Sequence, residues 1–137
     1  LRDYESEYHY LFDKLLSFEE DLTEKDDGTI EAVYHYPNIG RKTLECFLSF
    51  RVPETGSFYT KLKKLRRFNK EKISEDELED IYSFVNSNSH LDTKTGLIQF
   101  DPILGKNGKK YIQMLLDLIK KSDEDHYKSM SNLVGRN

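Results

Sequence analysis

The stretch Tyr36-Pro37-Asn38-Ile39-Gly40-Arg41-Lys42-Thr43-Leu44-Glu45-Cys46-Phe47-Leu48-Ser49-Phe50 decides the fold class. Pro37 stands where a helix begins, because its fixed φ suits the first turn and its missing N–H would have no intrahelical partner there. From that point Ile39, Leu44, Phe47, Leu48 and Phe50 build an apolar face, and Val52-Pro53 with Gly56 ends the segment. At about 100° per residue, Leu44, Phe47 and Leu48 face a core. Arg41 and Glu45 lie one turn apart at the border of that face, beside Leu48.

The same period runs outward in both directions. Tyr8, Leu11, Phe12, Leu15, Leu16 and Phe18 follow the i, i+3, i+4, i+7 spacing and predict a first helix of about four to five turns. It dissolves in Glu24-Lys25-Asp26-Asp27-Gly28, and a short helical segment follows from Thr29. On the other side a basic helix is predicted from Ser57 to Arg67, with Phe58, Leu62 and Leu65 buried. Ser74 followed by Glu77 is a capping-box signature for a fourth helix carrying Leu78, Ile81, Tyr82 and Val85. That helix frays in Asn86-Ser87-Asn88-Ser89-His90. Residues 91–108, with Gly96, Pro102, Gly105 and Gly108, read as a long loop with a brief extended piece at Leu97-Ile98-Gln99-Phe100. A last helix starts near Lys109 and carries Tyr111, Ile112, Leu115, Leu116 and Ile119, and the tail frays after Met130. The expected class is all-α: one helical domain over residues 1–137, a bundle of about five helices with one long loop before the last.

Composition bounds the function. The 137 residues are 36% hydrophobic and 34% charged, polar for a folded domain, yet 8 Phe and 9 Tyr supply bulky core material. No apolar run approaches the ~20 residues that span a bilayer, which excludes a membrane-spanning helix. Cys46, the one cysteine, makes neither an intrachain disulfide nor a thiolate zinc site, so a cytoplasmic protein is expected. A formal charge of -4 excludes a wholly basic nucleic-acid coat protein and leaves room for a local basic patch. The chain opens at Leu1 directly into helical sequence with no signal-peptide pattern, and reads as a piece of a longer protein.

Common catalytic frameworks are missing from the sequence. Lys106 to Lys110 is glycine-rich and basic but lacks the G-x-x-x-x-G-K-[ST] spacing, and neither H-E-x-x-H nor G-x-S-x-G occurs. His9, His35, His90 and His126 are scattered; the pairs His9 with Asp13 and Asp123 with His126 read as solvated helix-surface contacts. Arg41 and Glu45 are either an ordinary surface ion pair or the wall of a cleft. His90 is either part of a frayed helix end favoured by the negative end of the dipole, or a histidine of near-neutral pKa held by Asn and Ser partners. Lys61, Lys63, Lys64, Arg66, Arg67, Lys70 and Lys72, interleaved with Leu62, Leu65 and Phe68, form either a phosphate-binding strip or a solvated face. The acidic runs Glu19-Glu20-Asp21 and Glu75-Asp76-Glu77 read as solvated faces, or as docks for the basic helix of a neighbouring copy.

Two of these features combine. Tyr36-Pro37-Asn38-Ile39-Gly40-Arg41-Lys42-Thr43-Leu44-Glu45 followed by Phe84-Val85-Asn86-x-x-Ser89-His90 resembles the C-terminal region of bacterial ATPases of the PrrC/RloC anticodon-nuclease type, over roughly Tyr8 to Tyr127. In that family an ABC-type ATPase is joined to a ribonuclease part related to the HEPN helical nucleases, with an Arg-x-x-x-Glu…His triad. The resemblance implies catalytic roles for Arg41, Glu45 and His90, with Asn86 and Ser89 in support; the basic strip, through Lys61, Lys63, Lys64, Arg66, Arg67 and Lys70, would supply the RNA contacts. It implies a metal-independent endoribonuclease acting on tRNA-like RNA in phage defence or stress response. His90 would take the ribose 2′-OH proton, having an unperturbed pKa near 6.5. Arg41 would grip the phosphate with its planar fork, and Glu45 would orient Arg41 or His90 or act as a second acid/base. Expected partners are RNA, a second copy and the ATPase part of the same protein, with ATP and Mg²⁺ bound there and no cofactor or metal in this segment. The alternatives are a non-catalytic dimerisation or partner-binding domain of such an ATPase, and a free-standing helical adaptor.

Overall fold

The computed structural model describes residues 6–21, 36–86, 90–91, 98–99 and 108–134. Phe12, Leu15, Leu44, Phe47, Leu62, Ile81, Ile112 and Leu115 are removed from water and belong to one continuous cluster, so a single core organises these segments. Six helices build it among the described residues: α1 (Glu7–Asp21), α2 (Tyr36–Arg51), α3 (Phe58–Phe68), α4 (Glu75–Val85), α5 (Gly108–Ser122) and α6 (Glu124–Leu133). The all-α class is as expected. Two short strands, β1 (His90–Leu91) and β2 (Ile98–Gln99), pair antiparallel between α4 and α5. The brief extended piece expected near Ile98 is therefore present. The turn at 24–28, the helical segment from Thr29, and most of the stretch read as a loop lie outside the described residues.

α5 is the central helix. Ile112, Leu115, Leu116, Leu118 and Ile119 give it a wide apolar face, and it touches α1, α2, α4 and α6. α3 packs across α2 and α4 at one side of the bundle. Gly40 of α2 packs against α5 and the end of α4. A Cβ built there would lie 3.5 Å from Val85 Cγ1, an ordinary contact, and 2.9 Å from Leu115 Cδ1, which would have to shift. Leu115 has no exposed surface and little room to withdraw.

Helix ends follow local chemistry. Ser57 and Ser74 cap α3 and α4, accepting from the backbone N–H of Thr60 and Glu77, each at 3.1 Å. The capping box at Ser74 forms by half, because the Glu77 carboxylate takes Lys121 Nζ at 3.0 Å across the bundle. The single last helix read from the sequence is two. Asp123 ends α5 and caps α6 by accepting from the His126 N–H at 3.1 Å. Asp123 thus meets the backbone of His126, where a side-chain pair was expected. Ile119 and Met130 stay buried on either side, and this continuity of apolar spacing hid the break.

The imidazole of His126 instead joins α6 to α1 and α2. Its Nε2 lies 2.8 Å from the Tyr8 hydroxyl, with the rings of Tyr8, Phe47 and Phe50 around it at 5.3–5.7 Å. Burial raises the Tyr8 hydroxyl well above the usual phenol range, and Cys46 and Asp123 add to the effect. Burial also pulls His126 below its usual value; Asp123 partly offsets this and Arg51 adds to it. Between a protonated phenol and a neutral imidazole, Tyr8 donates to Nε2 in the Nδ1–H tautomer and accepts from it in the Nε2–H tautomer.

Gly40→Val forces a branched side chain against Leu115 and should lower stability by about 1–3 kcal/mol in urea unfolding; an unchanged midpoint would show that the contact yields freely. For His126, the unfolded chain binds the proton more readily than the folded one. Its contribution to stability is therefore whole above about pH 6.5 and is lost as pH falls from there to the lowered folded pKa. Unfolding midpoints measured from pH 7 down to 5 should fall, and His126→Gln should flatten that dependence. An equal slope in the variant assigns the effect elsewhere.

Candidate functional site

Arg41 leaves α2 at the border of its buried face, beside Leu48. Three groups hold its guanidinium. Nε donates to Glu45 Oε1 at 2.8 Å, Nη1 donates to Asn86 Oδ1, and the Phe58 ring lies 4.8 Å from the central carbon. Glu45 comes from the next turn of α2, Asn86 is the C-cap of α4, and Phe58 opens α3. Asn86 is itself fixed, since its Nδ2 donates to the Tyr82 carbonyl at 3.0 Å and turns Oδ1 toward Arg41. The close approach at Gly40, one residue earlier, brings the end of α4 within reach of the arginine.

By exposure alone Arg41 and Glu45 are an ordinary surface ion pair. Arg41 and Glu45 are 36% and 51% exposed, and such a pair alone contributes about 0.3–0.5 kcal/mol. Holding a guanidinium from two further helices is a different matter, because it removes rotamer freedom before any ligand arrives. Nη2, the outer edge of the fork, carries no hydrogen bond among the described residues, and Glu45 and Phe58, which hold the guanidinium, also line a shallow groove of about 300 Å³ with Leu48, Gly56 and Lys61. Such an edge suits a phosphate or carboxylate oxygen.

Arg41, Glu45 and Asn86 are thus brought together. Ser89 lies outside the described residues. For His90 the described feature is its backbone, paired with Gln99 in the β1–β2 ladder. That corrects the expectation of a histidine at a frayed helix end. α4 stops at Val85, where the Asn86 side chain satisfies the Tyr82 carbonyl, and the His90 backbone finds its partners in a strand.

The basic strip divides between two sides of α3. Lys61 lines the groove beside Glu45 and Phe58, and Lys64 pairs with Glu54 at 3.0 Å. Lys63, Arg66, Arg67 and Lys70 share the other side, a groove of about 380 Å³ that Tyr59, Glu75, Asp76 and Glu79 also line. Arg66 donates to the Ile73 carbonyl at 3.2 Å and pairs with Glu75 at 3.4 Å, bracing the turn between α3 and α4. The Glu75-Asp76-Glu77 run is therefore no purely solvated face: Glu75 and Glu77 take Arg66 and Lys121 of the same chain.

Phe58, Tyr59 and Tyr82 are contributors that sequence reading missed as site residues. Apolar spacing assigns Phe58 and Tyr82 to the core, and both are half-buried. Only their alternation with cations on α3 hinted at another role. Among the described residues no group of three or more His, Cys, Asp or Glu is placed to hold a metal ion, and no helix is long and apolar enough to cross a membrane.

A family model described as an AAA domain matches residues 1–117, which takes in α1 to α4 and most of α5. The chain belongs to this AAA-type ATPase family. No curated protein and no solved structure matches it. Among the described residues one stretch has the look of an ATP site and does not form one. Gly40-Arg41-Lys42-Thr43 has the residue types of a phosphate loop, yet it lies inside α2, with Gly40 against Leu115 and the buried Thr43 hydroxyl donating to the Ile39 carbonyl at 2.7 Å. Its backbone N–H groups are committed to a helix and cannot cradle a phosphate.

Proposed function

We propose that this chain is the RNA-cleaving helical part of an ATPase-containing protein of the PrrC/RloC anticodon-nuclease type. In this reading the nucleotide-binding core, with its ATP and Mg²⁺, is a separate segment of the same polypeptide, and residues 1–137 form one helical domain that needs no cofactor of its own. Membership of the AAA domain family supports the ATPase link. The observation that carries the chemistry is Arg41, held by Glu45, Asn86 and Phe58, two of which, Glu45 and Phe58, also line a groove.

The reaction is an internal transesterification. His90 takes the proton of a ribose 2′-OH, and the freed oxygen attacks the adjacent phosphorus. The fork of Arg41 neutralises the charge gathering on the phosphate oxygens. The bond to the 5′-oxygen breaks as that oxygen takes a proton from water. The products are a 2′,3′-cyclic phosphate and a 5′-hydroxyl. Glu45 keeps the guanidinium in place through Nε, and Asn86 and Ser89 support the arginine and the histidine. Lys61, Lys63, Lys64, Arg66, Arg67 and Lys70 gather the phosphates of a tRNA-like substrate. The protein works in the cytoplasm as a homodimer, in phage defence or stress response.

The full-length protein incubated with total tRNA tests this reading. Arg41→Lys keeps the charge but loses the fork, and should lose most cleavage. His90→Ala should lose cleavage by about 10²- to 10⁴-fold. Neither should move the unfolding midpoint much, because the arginine borders the core without filling it and the histidine is asked only for proton transfer. Two variants that cleave like the wild type would refute the site. A wild type that binds tRNA and never cleaves it would make this a binding domain.

A further inference from the structure

A line of rings connects the two grooves. The Arg41 guanidinium lies 4.8 Å over Phe58, Phe58 stacks with Tyr82 at 6.1 Å and 29°, Tyr82 packs on Tyr59 at 4.5 Å, and Lys63 Nζ lies 4.8 Å over Tyr59. All three rings are half-buried, so each keeps an accessible part. An apolar core has no use for cations at both ends of a ring stack. A ribonucleotide strand has, since it offers flat bases joined by phosphates.

We propose that Tyr59, flanked by Lys63, Arg67 and Lys70, is a base-stacking subsite for single-stranded RNA, and that Phe58 and Tyr82 connect it to the phosphate gripped by Arg41. The inference rests on the nuclease reading for its direction and deepens it by naming the strandedness of the substrate. A base arriving at Tyr59 displaces the Lys63 ammonium from the ring face, a weak contact at an exposed site. The ammonium then moves with the base's phosphate. Lys63, Arg66, Arg67 and Lys70 outnumber Glu75, Asp76 and Glu79 around this groove, so the acids offset part of the attraction. Glu75 is paired with Arg66, and Glu79 accepts from the Tyr59 hydroxyl and steadies the ring. Arg67 and Lys70 carry no ion pair among the described residues. Duplex RNA hides its base faces and leaves the ring nothing to stack on.

Binding of a fluorescently labelled short oligouridine to the full-length protein, carrying His90→Ala to prevent cleavage, tests the subsite. The single strand should bind about tenfold more tightly than a duplex, or than an abasic strand of equal length. Tyr59→Leu keeps the apolar volume without the ring and should weaken the oligouridine by a similar factor, leaving the abasic strand unchanged. Tyr59→Phe should bind as before. No RNA binding, equal affinity for the abasic strand, a silent Tyr59→Leu, or displacement of the oligouridine by an acidic peptide at equal charge would overturn the proposal; the last would make the patch a protein-docking face. The two readings fail separately. Tyr59-dependent binding in a protein that never cleaves RNA retains the subsite and removes the nuclease. Arg41-dependent cleavage with a silent Tyr59→Leu does the reverse.

Discussion

The arrangement near Arg41 rests on the packing of α2 at Gly40. A Cβ there would press on Leu115 Cδ1 of α5 at 2.9 Å and only touch Val85 of α4, at 3.5 Å. Because Val85 is the last residue of α4, the same packing sets its cap, Asn86, beside Arg41. Packing in the core and placement of the arginine are thus one geometric fact. Glycine inside a helix costs about 1 kcal/mol against alanine. Here that cost is offset by dense contact among α2, α4 and α5.

A second consequence concerns charge. Cations on α3 and acids at the start of α4 face each other across a tight turn, so part of the basic strip is neutralised within the chain. Arg66 is committed to bracing that turn. The remaining cations lie at the two ends of the aromatic line from Phe58 to Tyr59, on opposite sides of α3. An acidic protein thereby presents a local group of cations on each side of α3. For the nuclease reading this favours a strand laid over α3 and α4 rather than a duplex held at arm's length.

The class and most helices were legible because an apolar period of 3.6 is a local signal. Ser57 and Ser74 marked two helix starts, and the border position of Arg41 and Glu45 followed from angle alone. What stayed hidden was every contact set by tertiary packing. Asn86 reaches Arg41 across 45 residues and Tyr8 reaches His126 across 118, separations about which local spacing says nothing. Competition was hidden too: Glu77 had a predicted partner in its own cap and took Lys121 instead. The break at Asp123 was visible as an Asp followed by Glu124 and Asp125, but unbroken apolar spacing outweighed that sign.

The central claim is that Arg41 grips an RNA phosphate during transesterification. Its most direct test is the chemistry of the RNA ends left by the full-length protein acting on total tRNA. The account predicts fragments ending in a 2′,3′-cyclic phosphate and beginning with a 5′-hydroxyl, and no fragments from Arg41→Lys. Fragments with 3′-hydroxyl and 5′-phosphate ends, or none from the wild-type protein, would contradict it.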